Sequence, residues 1–96
     1  MALKTSVSLS GQDRAKCSFT MPARATDLNR HGAAIELHRE LLVGSTVGVR
    51  NKRGTQVSAR VVKEVNAVDG LRTYGIEFLE NDDRAKTFWG ITFPAV

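Results

Sequence analysis

Cysteine is nearly absent from this sequence, which contains only Cys17 among its 96 residues. A single thiol cannot close a disulfide within the chain, so the sequence fits a reducing compartment, and we expect the protein in the cytoplasm. His31 and His38 are too far apart in the sequence for a zinc motif, and no paired cysteines exist. We therefore expect no metal site, and we interpret Cys17 as a small apolar residue that packs inside the fold.

Long apolar runs and charged tails are also missing. No stretch approaches the roughly 20 apolar residues that span a bilayer, and the N-terminal segment lacks the apolar centre of a signal peptide. Residues 1–48 carry six basic and four acidic groups, and residues 49–96 carry eight and six, so each half contributes +2 to the net charge of +4. This even distribution argues against a basic tail that coats nucleic acid or anionic lipid, and we expect no membrane partner.

Catalytic motifs are a third absence. No nucleophile, base and orienting group stand in a recognisable arrangement, and no glycine-rich phosphate loop is present. The two histidines have no catalytic context, and a lone loop histidine is more often solvated than a general base. We therefore expect a protein that is not an enzyme and that needs no cofactor.

Alternation of apolar and polar residues is what the chain does contain, and it predicts short strands. Apolar residues alternate with serine or other polar residues at 7–10 and at 17–21, and the turn residues between them predict a hairpin. Pro22 lacks a backbone donor, so it should end the second strand or place it at a sheet edge. A third extended run covers 24–28.

The next strand contains Ile35 and Leu37, and it is followed by a loop in which Leu41, Leu42 and Val43 are expected as buried anchors. A helix over 38–43 is an alternative for that loop. A meander of three strands is then predicted at 46–50, 56–65 and 71–79. Within the second of these strands, four residues are expected to share one face, and they are Val57, Ala59, Val61 and Val65. Arg50, Lys52 and Arg53 form a cationic hairpin tip. Contact with phosphate is one interpretation of this tip, and we favour the other, which is solvated charge.

The end of the chain changes character. Asn81, Asp82 and Asp83 provide cap residues for a short C-terminal helix. Large apolar residues follow and are expected to plug one end of the fold, and they are Phe88, Trp89, Ile91 and Phe93. The sequence as a whole predicts one all-β domain over 1–96, a six- or seven-stranded antiparallel β-barrel with a short C-terminal helix.

Polar side chains are concentrated between the third extended run and the next strand. Asp27 can accept hydrogen bonds from a guanine edge, and Asn29 can donate or accept. Arg30 can pair with phosphate or stack on a base, and Gly32 lets the backbone approach a ligand closely. Asp27 and Asn29 also belong to the residue types that hydrogen-bond their own turn, and local composition alone favours that structural role.

This segment resembles the D/N-x-S-x-x-G motif of PilZ domains, small β-barrel receptors for the bacterial messenger cyclic di-GMP. Here the motif stands as Asp27-x-Asn29-x-x-Gly32. The resemblance continues through Gly32–Leu37, Leu42-x-Gly44-x-x-Val47, Ala59–Val62 and Tyr74–Leu79, and it covers about residues 24–80. It implies a non-enzymatic signalling module that binds cyclic di-GMP and passes the signal to an effector protein.

Two departures from the family pattern bear on ligand binding. Asn29 replaces the serine of the motif, and the R-x-x-x-R pair that clamps the ligand in PilZ receptors has no counterpart here. Substitute cations are available from Arg14, Lys16, Arg24 and Arg30, and we expect Arg30, with Arg14 or Arg24, to neutralise the phosphates. The first alternative is a PilZ-like adaptor that has lost nucleotide binding and acts through protein contacts. The second is a small-barrel nucleic-acid binder, disfavoured because few of the aromatic residues remain for base stacking.

Overall fold

Six antiparallel strands form a closed barrel in the computed structural model, which describes residues 4–79 and 87–90. The strands are β1 (Thr5–Gln12), β2 (Ser18–Asn29), β3 (Gly32–Leu37), β4 (Thr46–Arg50), β5 (Gln56–Val68) and β6 (Leu71–Phe78). Their order around the barrel is β1-β2-β3-β6-β5-β4. The predicted all-β barrel is confirmed, while the predicted C-terminal helix falls largely on residues outside the described part.

The core consists of the residues that alternate inward along the strands. Leu9, Ile35 and Val49 are fully buried, and Phe88 enters the barrel end from the C-terminal segment. No polar or charged side chain is buried among the described residues, so the hydrophobic effect supplies most of the stabilisation. Within the same residues, no helix is long and apolar enough to cross a membrane.

Strand β2 is longer than predicted, because the hairpin strand and the third extended run are one strand. The prediction that Pro22 ends this strand was wrong, because Pro22 lies inside β2, opposite Ser8 of β1. The alternative of an edge position fits the register, because no residue of β3 pairs with Pro22. The register of β2 with β3 begins only at Arg24, which lies opposite Glu36. Proline is therefore tolerated at a point where one side of β2 has no strand partner that needs its missing N–H group.

The β5–β6 hairpin extends beyond the barrel as an arm. The register of the two strands shifts at Val62 and again at Val65, so each of these residues forms a bulge. The bulges interrupt the alternation, and Val62, Val65 and Val68 are 40%, 55% and 55% exposed. The prediction that Val65 shares the buried face was therefore wrong, because a strict period of two assumes a strand without bulges.

The loop before β4 runs beside this arm. Gly44 donates its N–H to the carbonyl of Val61 at 2.7 Å. Leu41 is buried, and its N–H donates to the hydroxyl of Tyr74 at 2.9 Å. Leu42 and Val43 are 49% and 50% exposed, so only one of the three predicted anchors is buried, and the alternative helix over 38–43 does not form.

The β1–β2 turn is held by a carboxylate. Oδ1 of Asp13 accepts hydrogen bonds from the N–H groups of Ala15 and Cys17 at 2.9 and 3.0 Å, and Oδ2 accepts one from Arg39 at 2.8 Å. The hydrogen bond from the Cys17 N–H has the largest effect and lowers the pKa of the Asp13 carboxyl, and the hydrogen bonds from Arg39 and Ala15 lower it further. The Cys17 side chain is exposed on this turn, so the prediction that it packs inside the fold was wrong. The turn hydrogen bonds fix its backbone at the surface.

The contrast between the barrel and the arm predicts different effects of one substitution at two positions. Val61→Ala removes two fully buried methyl groups and should lower the free energy of unfolding by about 2 kcal/mol. Val65→Ala removes the same atoms from a half-exposed position, and its effect should stay within about 0.5 kcal/mol. Urea denaturation of both variants measures the difference, and equal losses would contradict the exposed arm.

The lowered pKa of Asp13 predicts the acid behaviour of the β1–β2 turn. Because folding lowers the pKa of Asp13, the ionised carboxylate stabilises the fold above the pKa that Asp13 has in the unfolded chain. This stabilisation is lost as the pH falls through the lower pKa of the folded protein. The carboxyl carbon of Asp13 should titrate by NMR with a midpoint below the ordinary 3.8. In Arg39→Ala the midpoint should rise only part of the way, since the backbone bond from Cys17 remains. A midpoint at or above 3.8 in the unaltered protein would refute this arrangement.

Candidate functional site

The polar segment found in the sequence forms the turn between β2 and β3. Asn29 at the end of β2 pairs with Gly32 at the start of β3, and Arg30 and His31 form the turn between them. The side-chain oxygen of Asn29 accepts a hydrogen bond from the N–H of His31 at 2.8 Å. This is the local role that asparagine often has in turns, and it fixes the turn that presents the other polar groups.

Glycine is required at position 32 because strand β6 lies very close to it, and not because of its backbone angles. A Cβ atom at this position would lie 2.0 Å from the carbonyl oxygen of Ile76 on β6, which no side chain can tolerate. Gly32 is not among the residues with positive φ. The glycine permits β3 to pack against β6 directly beneath the turn.

The positive φ falls instead on Asp27, with a value of 49°. The register of β2 with β3 shifts between Thr26 and Asn29, so Asp27 lies on a bulge. Aspartate is one of the few side chains that adopt this conformation readily. The bulge re-aims the carboxylate, which is exposed and has no hydrogen-bond or ion-pair partner among the described residues.

Two arginines lie near this carboxylate. Arg30 is exposed in the turn, three residues after Asp27. Arg24 is exposed on β2, three residues before Asp27, and lies between Ser6 of β1 and Glu36 of β3. The structure therefore brings Asp27, Asn29, Arg30 and Gly32 together, with Arg24 about 10 Å along the strand.

Arg14 lies at the opposite end of the barrel. The β1–β2 turn that carries it is separated from the β2–β3 turn by the whole of β2, on the order of 30 Å for 12 residues. The Arg14 guanidinium donates to Oε1 of Glu40 at 3.0 Å, and its N–H donates to the carbonyl of Glu40 at 2.9 Å. The structure does not bring Arg14 to the candidate site.

A residue that the motif analysis missed does reach the site. Trp89 donates its indole N–H to the carbonyl of Asn29 at 2.9 Å. Its ring packs on Phe88 and Phe78, with centroid distances of 4.8 and 5.7 Å. The predicted plug is confirmed for Phe88 and Trp89, while Ile91 and Phe93 lie outside the described residues. Their contact with the turn had no sequence pattern, because 60 positions separate Trp89 from Asn29.

The β4–β5 turn holds the C-terminal segment from the other side. Asn51 donates to the carbonyl of Phe88 at 2.8 Å, and Arg53 donates to the carbonyl of Thr87 at 2.8 Å. Arg53 is exposed, as the interpretation of solvated charge expects, but it also binds the C-terminal segment. Residues 87–90 bridge the β2–β3 and β4–β5 turns, which places the candidate site next to this C-terminal segment.

A metal role has no support in the described part of the chain. Those residues contain no group of three or more His, Cys, Asp and Glu side chains close enough to hold an ion. The chemistry that the turn offers consists of one exposed carboxylate, one amide and two guanidinium groups. Such a set recognises a polar ring edge together with an anionic group.

The close approach at Gly32 predicts a large effect on stability. Gly32→Ala places a methyl group against the backbone of β6 and should lower the free energy of unfolding by at least about 2 kcal/mol. Gly44→Ala is the matched control, since Gly44 has a positive φ and nothing lies within 4 Å of its missing Cβ. That control should lose only about 1 kcal/mol from backbone strain. If urea denaturation shows similar losses in the free energy of unfolding for both variants, the close contact with Ile76 does not determine the effect of Gly32→Ala.

Comparison with known proteins agrees with the motif and the barrel. The family model described as the PilZ domain matches residues 1–88, a range that includes all six strands and the β2–β3 turn. Neither the curated proteins nor the solved structures include a significant match to the chain. A family model that spans nearly the whole chain identifies the family, and this chain belongs to the PilZ domain family.

Proposed function

We propose that this protein is a non-enzymatic cytoplasmic signalling module that binds cyclic di-GMP at its β2–β3 turn. The observation that carries the proposal is the Asp27 carboxylate, which a bulge presents at the surface with no partner among the described residues. Cyclic di-GMP is a dianion with two guanine bases. A carboxylate accepts hydrogen bonds only, and the Watson–Crick edge of guanine donates them.

The surrounding residues supply the rest of the recognition. The guanidinium groups of Arg24 and Arg30 lie on either side of Asp27 along the chain and can pair with phosphate oxygens. Gly32 keeps the turn close to the barrel wall, because β3 packs on β6 without an intervening side chain. In this proposal Arg14 has no contact with the ligand, since Glu40 holds it at the far end of the barrel.

The path of the signal follows from the neighbours of the turn. Trp89 binds the Asn29 carbonyl, and Asn51 and Arg53 bind the same segment from the β4–β5 turn. A ligand that moves Asn29 therefore changes a contact of residues 87–90. A change in the order or position of such a segment is a common way of signalling to an effector protein.

A second candidate function is the adaptor, in which the barrel contacts a protein and needs no nucleotide. The observation that favours it is exposed apolar surface at the arm and the adjacent loop, formed by Leu42, Val43, Val62, Val65 and Val68. Surfaces of this kind mark protein interfaces. The two bulges and Lys63 protect the edge of β5 from strand addition, so a partner would contact the exposed face of the arm.

Calorimetric titration with cyclic di-GMP tests the receptor function. The unaltered protein should bind saturably. Asp27→Asn keeps the shape and tolerates the positive φ but removes the charge, and Arg30→Ala removes a phosphate partner. Each variant should lose about 10- to 100-fold in affinity, as expected when a charge-assisted hydrogen bond is lost.

Arg14→Ala is the control for net charge, because it removes one cation from the end of the barrel opposite the turn. Its affinity should stay within about twofold of the unaltered protein. If the protein releases no heat with the ligand, or if Asp27→Asn binds as tightly as the unaltered protein, the turn is not the receptor site. The first of these results would favour the adaptor.

A further inference from the structure

A groove of about 550 Å³ crosses the outer surface of β1, β2 and β4 and reaches the β4–β5 turn. Its lining combines hydroxyl groups, cations and apolar surface, and it includes Ser6, Ser8, Thr20, Pro22, Arg50 and Lys52. We propose that this groove is a second binding site, which takes a small phosphate-bearing ligand. A volume of this size lies within the range of small-molecule sites in proteins.

The hydroxyl groups of the groove are placed by the alternation of β1. Val7 points into the core, so Ser6 and Ser8 on either side of it point outward. The register places Ser8 between Pro22 of β2 and Arg50 of β4. The side chains of Ser6, Ser8 and Thr20 make no hydrogen bond with any residue that the structure describes. Their O–H groups are therefore available to donate to phosphate oxygens.

The cations of the groove differ from those at the other end of the barrel. Arg14, Arg39 and Arg72 each form an ion pair with a carboxylate. Arg50 and Lys52 have no ion pair within the described part of the chain, and no carboxylate lines the groove there. Arg50 lies directly across from Ser8, so a guanidinium and a hydroxyl converge on one position. This pair of groups favours an anion over a neutral ligand, and together with the hydroxyl groups of Ser6 and Thr20 it can donate to the several oxygens of a phosphate.

The floor of the groove is apolar and indicates what else the ligand contains. Pro22 and Met21 contribute apolar surface beside the two serines. A ligand with a ring attached to its phosphate, such as a nucleotide or a sugar phosphate, can cover the floor while its phosphate contacts Ser8 and Arg50.

This site does not depend on the proposed function of the turn, because none of the residues proposed to bind cyclic di-GMP lines the groove. The full chain is titrated with inorganic pyrophosphate at low salt, and amide shifts are followed by NMR. The shifts should saturate and be largest at Ser6, Ser8, Arg50 and Lys52. Ser8→Ala, which leaves the net charge unchanged, and Arg50→Ala should each weaken binding about tenfold or more, as expected for hydrogen bonds to a charged group.

Two controls distinguish this site from general attraction and from the turn. Arg60→Ala removes an equally exposed strand arginine on β5, outside the groove, and should change the affinity by less than about twofold. Asp27→Asn should bind pyrophosphate as the unaltered protein does. Equal losses in Arg50→Ala and Arg60→Ala, or shifts that never saturate, would overturn the proposal. Cyclic di-GMP binding that is weakened by Ser8→Ala and not by Asp27→Asn would support the groove and refute the turn.

Discussion

Three residue pairs join β1 to β4, from Ser8–Arg50 to Ser10–Gly48, and this short contact closes the barrel. At its centre Leu9 lies opposite Val49, and both side chains are fully buried. Closure removes the two edges that an open six-stranded sheet would expose. It also determines the outer surface, because the pairing that buries Leu9 places Ser8 beside Arg50. The same strand register therefore determines both the core and the proposed phosphate groove, which lie on opposite faces of the sheet.

Charge is arranged differently at the two ends of this barrel. At the β1–β2 end, Asp13 and Glu40 bind Arg39 and Arg14, and Glu64 binds Arg72 across the arm. Exposed pairs of this kind contribute little to stability, but they neutralise the cations there. At the other end, Asp27 and Lys52 have no ion pair within the described residues. Charged side chains that remain available for ligands therefore lie mainly at the end that carries the β2–β3 turn.

Most of the fold could be predicted from the sequence, because one-sided burial imposes a period of two on each strand. The meander of β4, β5 and β6 and the turn at 29–32 follow from that pattern alone. Errors arose where the alternation does not show which strands pair: Pro22 does not end β2, because no residue of β3 pairs with it, and Val65 is exposed because a bulge interrupts the alternation. The contact of Trp89 with Asn29 was equally inaccessible, since no local pattern specifies it.

The replacement of serine by Asn29 in the PilZ motif has a physical explanation that reconciles the two roles considered for this residue. An asparagine amide has an acceptor and two donors, and here only the oxygen is used, by the N–H of His31. The Nδ2 group has no partner among the described residues. A serine hydroxyl has a single donor and a shorter reach. Asn29 therefore holds the turn with one atom and offers a donor with the other, so its structural role does not compete with ligand recognition.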